Sequence, residues 1–347
     1  MRRIAYSIAL REALMEEMER DPSVFLIGED IAEYGGCFGV TRGLLQKFGN
    51  ERVRNTPISE SNIAGIGIGT AMMGMRPVVE IMFMDFITLA MDQLVNHAAK
   101  FHYIYGEQVK IPLVVRTPAG AGKGYGATHS QTLTSWLLNV PGIKVVAPAF
   151  PQDAKGMLKN AIRDNNPVVF IEHKLLYGYM DYVDGNDDIV PFGKARIVSP
   201  GKDITIVSYS RMVHETMKAA EMLANMGVVA EIIDLRSLYP LDMETVCRSV
   251  RKTGLALLVE EGVLRWGVGS EISCRIMEHC FQNIKAPVQR IGFPDIPIPC
   301  SSELERQVLP KADEITKAAL DLLCLQPGRN LKSQKPVTNV IKAIGKM

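Results

Sequence analysis

Short apolar runs alternate with helix-patterned stretches along most of this chain, and that alternation restricts its fold more than any other feature. VFLIGED (24–30), PVVEIMF (77–83), IPLVVRT (111–117), IKVVAP (143–148) and PVVFIEHK (167–174) read as strands. Helical patterns lie between them: the N-terminal twenty residues, 56–74, a long and largely buried helix over 85–105, and the stretch that starts at Pro151. Strand–helix–strand order with continuously apolar strands implies a mostly parallel, doubly wound sheet covered on both faces. A second alternation follows, with strands at 204–209, 228–235, 255–261 and 286–292 and helices near 211–226, 242–252, 266–282 and 302–324. Between the two, periodicity fades and Gly, Pro and Asp collect. The expected division is therefore a first domain at 1–180, a linker at 181–202, a second α/β domain at 203–325 and a tail at 326–347. The tail holds five Lys/Arg and no Asp/Glu.

Composition excludes several classes. A net charge of +1 gives no electrostatic reason to expect nucleic acid. No apolar run reaches the roughly 18 residues of a membrane span, so no membrane partner is expected. The first twenty residues mix acids with apolar residues and read as an amphipathic helix, not a signal peptide. Six scattered cysteines form no CxxC pair, which argues for reduced thiols and a cytoplasmic location.

Two glycine-rich stretches fail as phosphate motifs. GIGIG (65–69) is followed by Thr70 and Met72, so no G-x-G-x-x-G is completed, and close helix packing is the remaining role. In GAGKGYG (120–126) Thr117 stands where a P-loop needs Gly, and Gly124 follows Lys123 where it needs Ser or Thr. That loop still ends at His129 in THSQT, the one histidine in a glycine-rich loop after a strand. Glu60 is the other candidate, a lone acid at the mouth of the glycine-rich apolar helix in 56–74. Read alone, Glu60 is more often a first-turn acid favoured by the macrodipole, and His129 more often a structural histidine. Phe83 and Phe86 flank Asp85 after a strand and could stack a flat heterocycle or simply pack in a core. His173 beside Glu172 is a weaker candidate.

Taken in order, PISE (57–60), MDFITLAMDQLVNHAAK (84–100), HSQ (129–131), PGIKVVAP (141–148), DAKGMLKNAIRDNNPVV (153–169) and DLRSLYPLD (234–242) form a combination far more specific than any one of them. Over about residues 4–320 the chain closely resembles the beta subunit of the thiamine-diphosphate-dependent first component of 2-oxo acid dehydrogenase complexes. The resemblance implies a transketolase-like pyrimidine-binding domain followed by a transketolase C-terminal α/β domain. It implies that Glu60 hydrogen-bonds the cofactor's pyrimidine and favours the tautomer that removes the thiazolium proton. It further implies that Phe86 packs on the pyrimidine, and that His129 guides proton transfer or the lipoyl group. A potassium site would use mainly backbone oxygens of Leu113, Ala161, Ile162, Asp164 and Asn166.

One absence extends this reading. The superfamily holds Mg²⁺ and the diphosphate with Gly-Asp-Gly followed by a double Asn. The chain has no GDG, and its only NN pair, Asn165-Asn166, lies in the cation segment. An alpha subunit in an α2β2 heterotetramer is therefore expected to hold Mg²⁺, with a lipoyl-bearing dihydrolipoamide acyltransferase as the acyl acceptor. Pyruvate is the first expected substrate. GGCFGVTRGL and FIEHK look acetoin-like and AIRDNNPVV pyruvate-like, so acetoin comes second and a branched-chain 2-oxo acid third. The alternative from another class is a scaffold subunit without chemistry.

Overall fold

A computed structural model describes residues 1–185 and 189–325. The basic tail at 326–347 lies outside the described residues. The first strands are β1 (Arg2–Ala5), β2 (Val24–Gly28), β3 (Val53–Asn55), β4 (Arg76–Glu80), β5 (Val114–Ala119), β6 (Lys144–Val146), β7 (Val168–His173) and β8 (Met180–Val183). They are followed by β9 (Arg196–Ser199), β10 (Ile204–Ser208), β11 (Ala230–Asp234), β12 (Ser237–Tyr239), β13 (Ala256–Val263) and β14 (Gln289–Phe293).

A seven-stranded sheet has the order β12-β6-β7-β5-β4-β2-β3, parallel throughout except for the β12–β6 pair at one edge. A five-stranded sheet has the order β14-β13-β10-β11-β9, parallel except for β9. The α/β, mostly parallel architecture thus matches the alternation in the sequence. β2, β5 and β7 are buried along their whole length, as strands covered on both faces must be. One core gathers Tyr6, Leu10, Leu14, Leu26, Val114, Met157 and Phe170; a second gathers Ile206, Leu223, Ile232, Leu257, Ile315 and Leu322.

The chain forms two compact units that interleave in sequence. One comprises Met1–Gly193, Ser237–Pro240 and Ile298–Glu305; the other comprises Lys194–Arg236, Leu241–Pro297 and the segment that begins at Arg306. Within the expected linker, β8 pairs antiparallel with β1 and β9 antiparallel with β11. Both are short, partly exposed edge strands without a crossover helix, so they carry none of the periodicity that marks the central strands.

Local chemistry sets the helix limits. Pro151 opens the helix Pro151–Arg163, where its missing N–H is not needed. Asp242 caps Met243–Thr253 by accepting from Thr245 N at 3.0 Å, and Gly254 ends it in a left-handed turn. The expected helix over 302–324 is instead two, Ser302–Val308 and Ala312–Cys324, because Pro310 can neither donate nor fit a helix interior.

The expected long helix over 85–105 is also broken, into a 3-10 segment Met84–Ala90, a π segment Gln93–Ala98 and a single turn Phe101–Ile104. Thr88 Oγ1 donates to the Asp85 carbonyl at 2.9 Å, and Ala99 N reaches back five residues to Leu94 O at 3.0 Å. Met84, Ile87, Ala90, Leu94 and Ala98 are buried all the same. Apolar spacing therefore looked helical while the winding followed local hydrogen bonds.

Candidate active site

The candidate residues follow carboxyl ends of strands in the seven-stranded sheet: the adjacent β7, β5 and β4, and the edge strand β3 beyond β2. Glu60 comes after β3, Phe83 and Phe86 after β4, His129 after β5 and Lys174 after β7. Open α/β sheets place ligands along that edge.

Glu60 opens the helix Glu60–Met72, which packs on β4 and on Met84–Ala90. Its approach depends on Gly67: a Cβ there would lie 2.7 Å from Val79 Cγ2 and 3.0 Å from Leu113 Cδ1. Glu60 is 7% exposed, and among the described residues its side chain has no hydrogen bond or ion pair. Burial first, then Asp30 and Glu60, hold the Glu29 carboxyl above the usual carboxylate range. Glu60 thus sits within electrostatic reach of a second acid.

Phe86 and His129 meet edge to face, with centroids 5.1 Å apart, and Phe83 touches both at 6.0 and 5.2 Å. Phe83 also meets Phe38 and Tyr125, so it is the hub of the aromatic cluster. His129 Nδ1 lies 3.0 Å from Thr128 Oγ1.

Three residues outside the sequence-derived set hold this group in place. Asp85, 5% exposed, accepts from Gln131 N at 3.1 Å and Gln131 Nε2 at 2.9 Å, while its second oxygen is buried without a partner. Lys174 Nζ donates to the His129 carbonyl and lies over the Phe83 ring at 5.3 Å and the Tyr125 ring at 5.8 Å. Tyr125 closes the outer side of the cluster. The sequence held one usable signal for Lys174 and Asp85: each is a charge shortly after an apolar strand, where a buried ion needs a reason. His173 lies lower, at the end of β7. It packs against Gly120, whose Cβ would lie 1.9 Å from His173 Nε2, and its Nδ1 accepts from Leu175 N at 3.1 Å.

Beneath the cluster, Arg116 donates to Glu172 at 2.7 and 2.9 Å and to Glu80 at 2.6 Å, and Tyr177 OH donates to Glu172 at 2.6 Å. Burial opposes the guanidinium charge, but Glu172 and then Glu80 outweigh it and keep Arg116 protonated. Burial raises Glu80, and Arg116 only partly offsets this. Burial and then Glu172 raise Tyr177. The network ties β4, β5 and β7 together under the site.

The expected potassium ligands are near one another but are engaged. Arg76 Nη1 donates to Ile162 O and Asp164 O, both at 3.0 Å. Val168 N donates to Leu113 O at 2.9 Å, and Asp164 N to Ala161 O at 3.3 Å. Asn166 Nδ2 is turned to Asp164 Oδ1 at 3.0 Å. Each carbonyl keeps a second lone pair, so a cation here would share oxygens with a guanidinium instead of filling an open cage.

Two family models cover most of the chain: "Transketolase, pyrimidine binding domain" matches residues 2–180 and "Transketolase, C-terminal domain" residues 193–315. A solved structure described as a split gene transketolase, inactive beta4 tetramer, superposes with a TM-score of 0.77 over 93% of this chain and 99% of that chain. At 24% identity, that likeness speaks for the fold alone. Fold and models define a two-domain protein of the transketolase type. The relatives narrow this. A pyruvate dehydrogenase E1 component subunit beta-1, mitochondrial, of Oryza sativa subsp. japonica is 46% identical over 315 residues, 90% of this chain and 84% of its own. An acetoin:2,6-dichlorophenolindophenol oxidoreductase subunit beta of Cupriavidus necator is 44% identical over 328 residues, 92% of this chain and 97% of its own.

The chain belongs to the family of E1 beta subunits of thiamine-diphosphate-dependent 2-oxo acid dehydrogenase complexes, enzymes that work with an alpha partner and an acyltransferase. The expectation of a cytoplasmic location does not stand, because relatives matched at this level carry "mitochondrial" in their names. Its premise was weak on physical grounds. All six cysteines are free, and free thiols fit any reducing compartment equally. Among the described residues no helix is long and apolar enough to cross a membrane.

Proposed function

We propose that this chain supplies the pyrimidine-binding half of a thiamine diphosphate site, and that the assembled enzyme oxidatively decarboxylates pyruvate. One observation carries the reading: Glu60, 7% exposed and without a side-chain partner among the described residues, opens the helix that packs on Met84–Ala90, the segment carrying Phe86, which meets His129. The Glu60 side-chain oxygens are not among the fully buried orphans, so water reaches them, and a ring nitrogen of a bound heterocycle would take that water's place. The cofactor, when bound, supplies the electron sink for decarboxylation. Glu60 would share a proton with the pyrimidine at its carboxylate, Phe86 would pack against that ring, and His129 would move a proton or guide the lipoyl group at its imidazole.

Among the described residues no cluster of three or more His, Cys, Asp or Glu could hold a metal ion. Mg²⁺ and the diphosphate then fall to the alpha subunit of an α2β2 assembly, and the acyl group passes to a lipoyl-bearing dihydrolipoamide acyltransferase. Potassium at Leu113, Ala161, Ile162, Asp164 and Asn166 would be a shared ion beside Arg76. Acetoin is the second reading, favoured by the 44% identical Cupriavidus necator relative.

The test is co-expression with the alpha subunit and assay on pyruvate, acetoin and 3-methyl-2-oxobutanoate. Pyruvate is expected to turn over best, and no turnover of any of the three would sink the proposal. In the same tetramer Glu60→Gln should lower kcat on the order of 10²-fold, the usual worth of a positioned proton-transfer group. An unaltered kcat would favour a scaffold subunit.

A further inference from the structure

We infer that Glu305, more than 170 residues away in sequence, is a positioning residue for the loop that carries His129. Glu305 lies on the helix Ser302–Val308 and is 1% exposed. Its Oε1 accepts from Gly122 N at 2.8 Å and its Oε2 from Gly124 N at 2.9 Å. Both glycines are left-handed, with φ of +95° and +70°, which turns their amides toward the carboxylate as a backbone nest. Among the described residues Glu305 makes no ion pair. The two charge-assisted bonds are what offset its burial, and no lysine or arginine takes their place.

The same segment packs against the loop further on. A Cβ on Gly124 would lie 3.3 Å from Cys300 O, and one on Gly126 3.2 Å from Cys300 Cβ. The loop is closed at its base by Gly120 N donating to Gln131 O at 3.4 Å. Glu305 therefore fixes the stretch from Gly122 to Gly126, and through it the Tyr125 ring against Phe83, whose other edge contacts His129. The failed phosphate motif of the sequence is thus a real anion nest, filled by the chain's own carboxylate. Glu305 touches neither His129 nor the reacting groups; it acts by holding the loop.

The activity arm rests on the function proposed above, so the test pairs it with a readout that needs no turnover. In the reconstituted alpha–beta enzyme, Glu305→Gln keeps the side-chain shape but turns an NH₂ toward one glycine amide. Backbone hydrogen exchange in 120–127 is expected to quicken about 10-fold, with kcat falling roughly 10-fold and KM for the 2-oxo acid holding within about twofold. On a His129→Ala background the same substitution is expected to cost no further kcat, because both changes disable one unit. Should Glu305→Gln not fold, Glu305→Asp is read the same way, since it keeps the charge but withdraws it from the amides. Unchanged loop exchange, or an equal further loss on the His129→Ala background, would overturn the inference. Altered exchange without turnover of any substrate would leave it standing and count against the proposed function alone.

Discussion

Glu60 and Glu260 show what burial does to one acid at a time. Glu60 is 7% exposed and has no side-chain partner among the described residues, an arrangement that the proposed heterocycle would complete. Glu260 is buried in the second unit, and its partners are at hand: Val268 N at 3.0 Å, Gly269 N at 2.9 Å and Tyr209 OH at 3.4 Å. Burial still dominates and pushes its carboxyl up to about 7, from an ordinary 4.5. A carboxyl that binds its proton more tightly when folded adds stability at low pH. That contribution is complete below about pH 4.5 and is lost as pH rises through about 7. Its full size is about 3 kcal/mol. The thermal midpoint of the chain should therefore carry a component that declines between pH 5 and 8, and Glu260→Gln should flatten it. An identical pH profile in that variant would show that Glu260 ionises freely in the fold.

The helix Glu60–Met72 allows a sharp comparison at the scale of an element. Its glycines look equivalent in sequence, yet only Gly67 is pressed against β4, while Gly69 has open space around it. Alanine at either position gains about 1 kcal/mol in helix propensity. At Gly67 the added methyl overlaps Val79 and Leu113, and overpacking costs about 1–3 kcal/mol, so the loss wins. Chemical denaturation of the lone chain should thus find Gly67→Ala less stable and Gly69→Ala more stable than the parent. Equal effects would contradict the packing described. The element scale is also where reading the sequence fell short. Apolar spacing placed the segments 85–105 and 302–324 correctly but gave each a single helix. The first is rewound by hydrogen bonds from Thr88 and Ala99, which hydrophobic periodicity does not encode. The second is cut by Pro310, a signal that was present in the sequence and outweighed by the pattern around it.

For the whole molecule, the proposed split site leads to a binding prediction. In that proposal this chain would offer a carboxylate and aromatic rings to a pyrimidine, and among its described residues no group of three or more His, Cys, Asp or Glu could hold a metal ion. Calorimetry should find weak binding of thiamine diphosphate with Mg²⁺ to the lone chain, and tight binding once the alpha subunit is added. Tight Mg²⁺-dependent binding by the lone chain would contradict the division of labour proposed here.

The alternation of apolar runs was enough to determine the α/β class, the mostly parallel sheets and the helical coverage, because burial on both faces leaves few other solutions. Ordered motifs were enough to bring Glu60, Phe86 and His129 into one reading. Tertiary structure alone decided what surrounds them. Asp85 on Gln131, Lys174 on the His129 carbonyl, Arg76 on the Ile162 and Asp164 carbonyls and Glu305 on the glycine nest all join residues far apart in the chain. Such pairings depend on where folded strands end and loops close. A sequence pattern records the period of burial, whereas a hydrogen bond between distant residues is settled only when the chain brings donor and acceptor within about 3 Å.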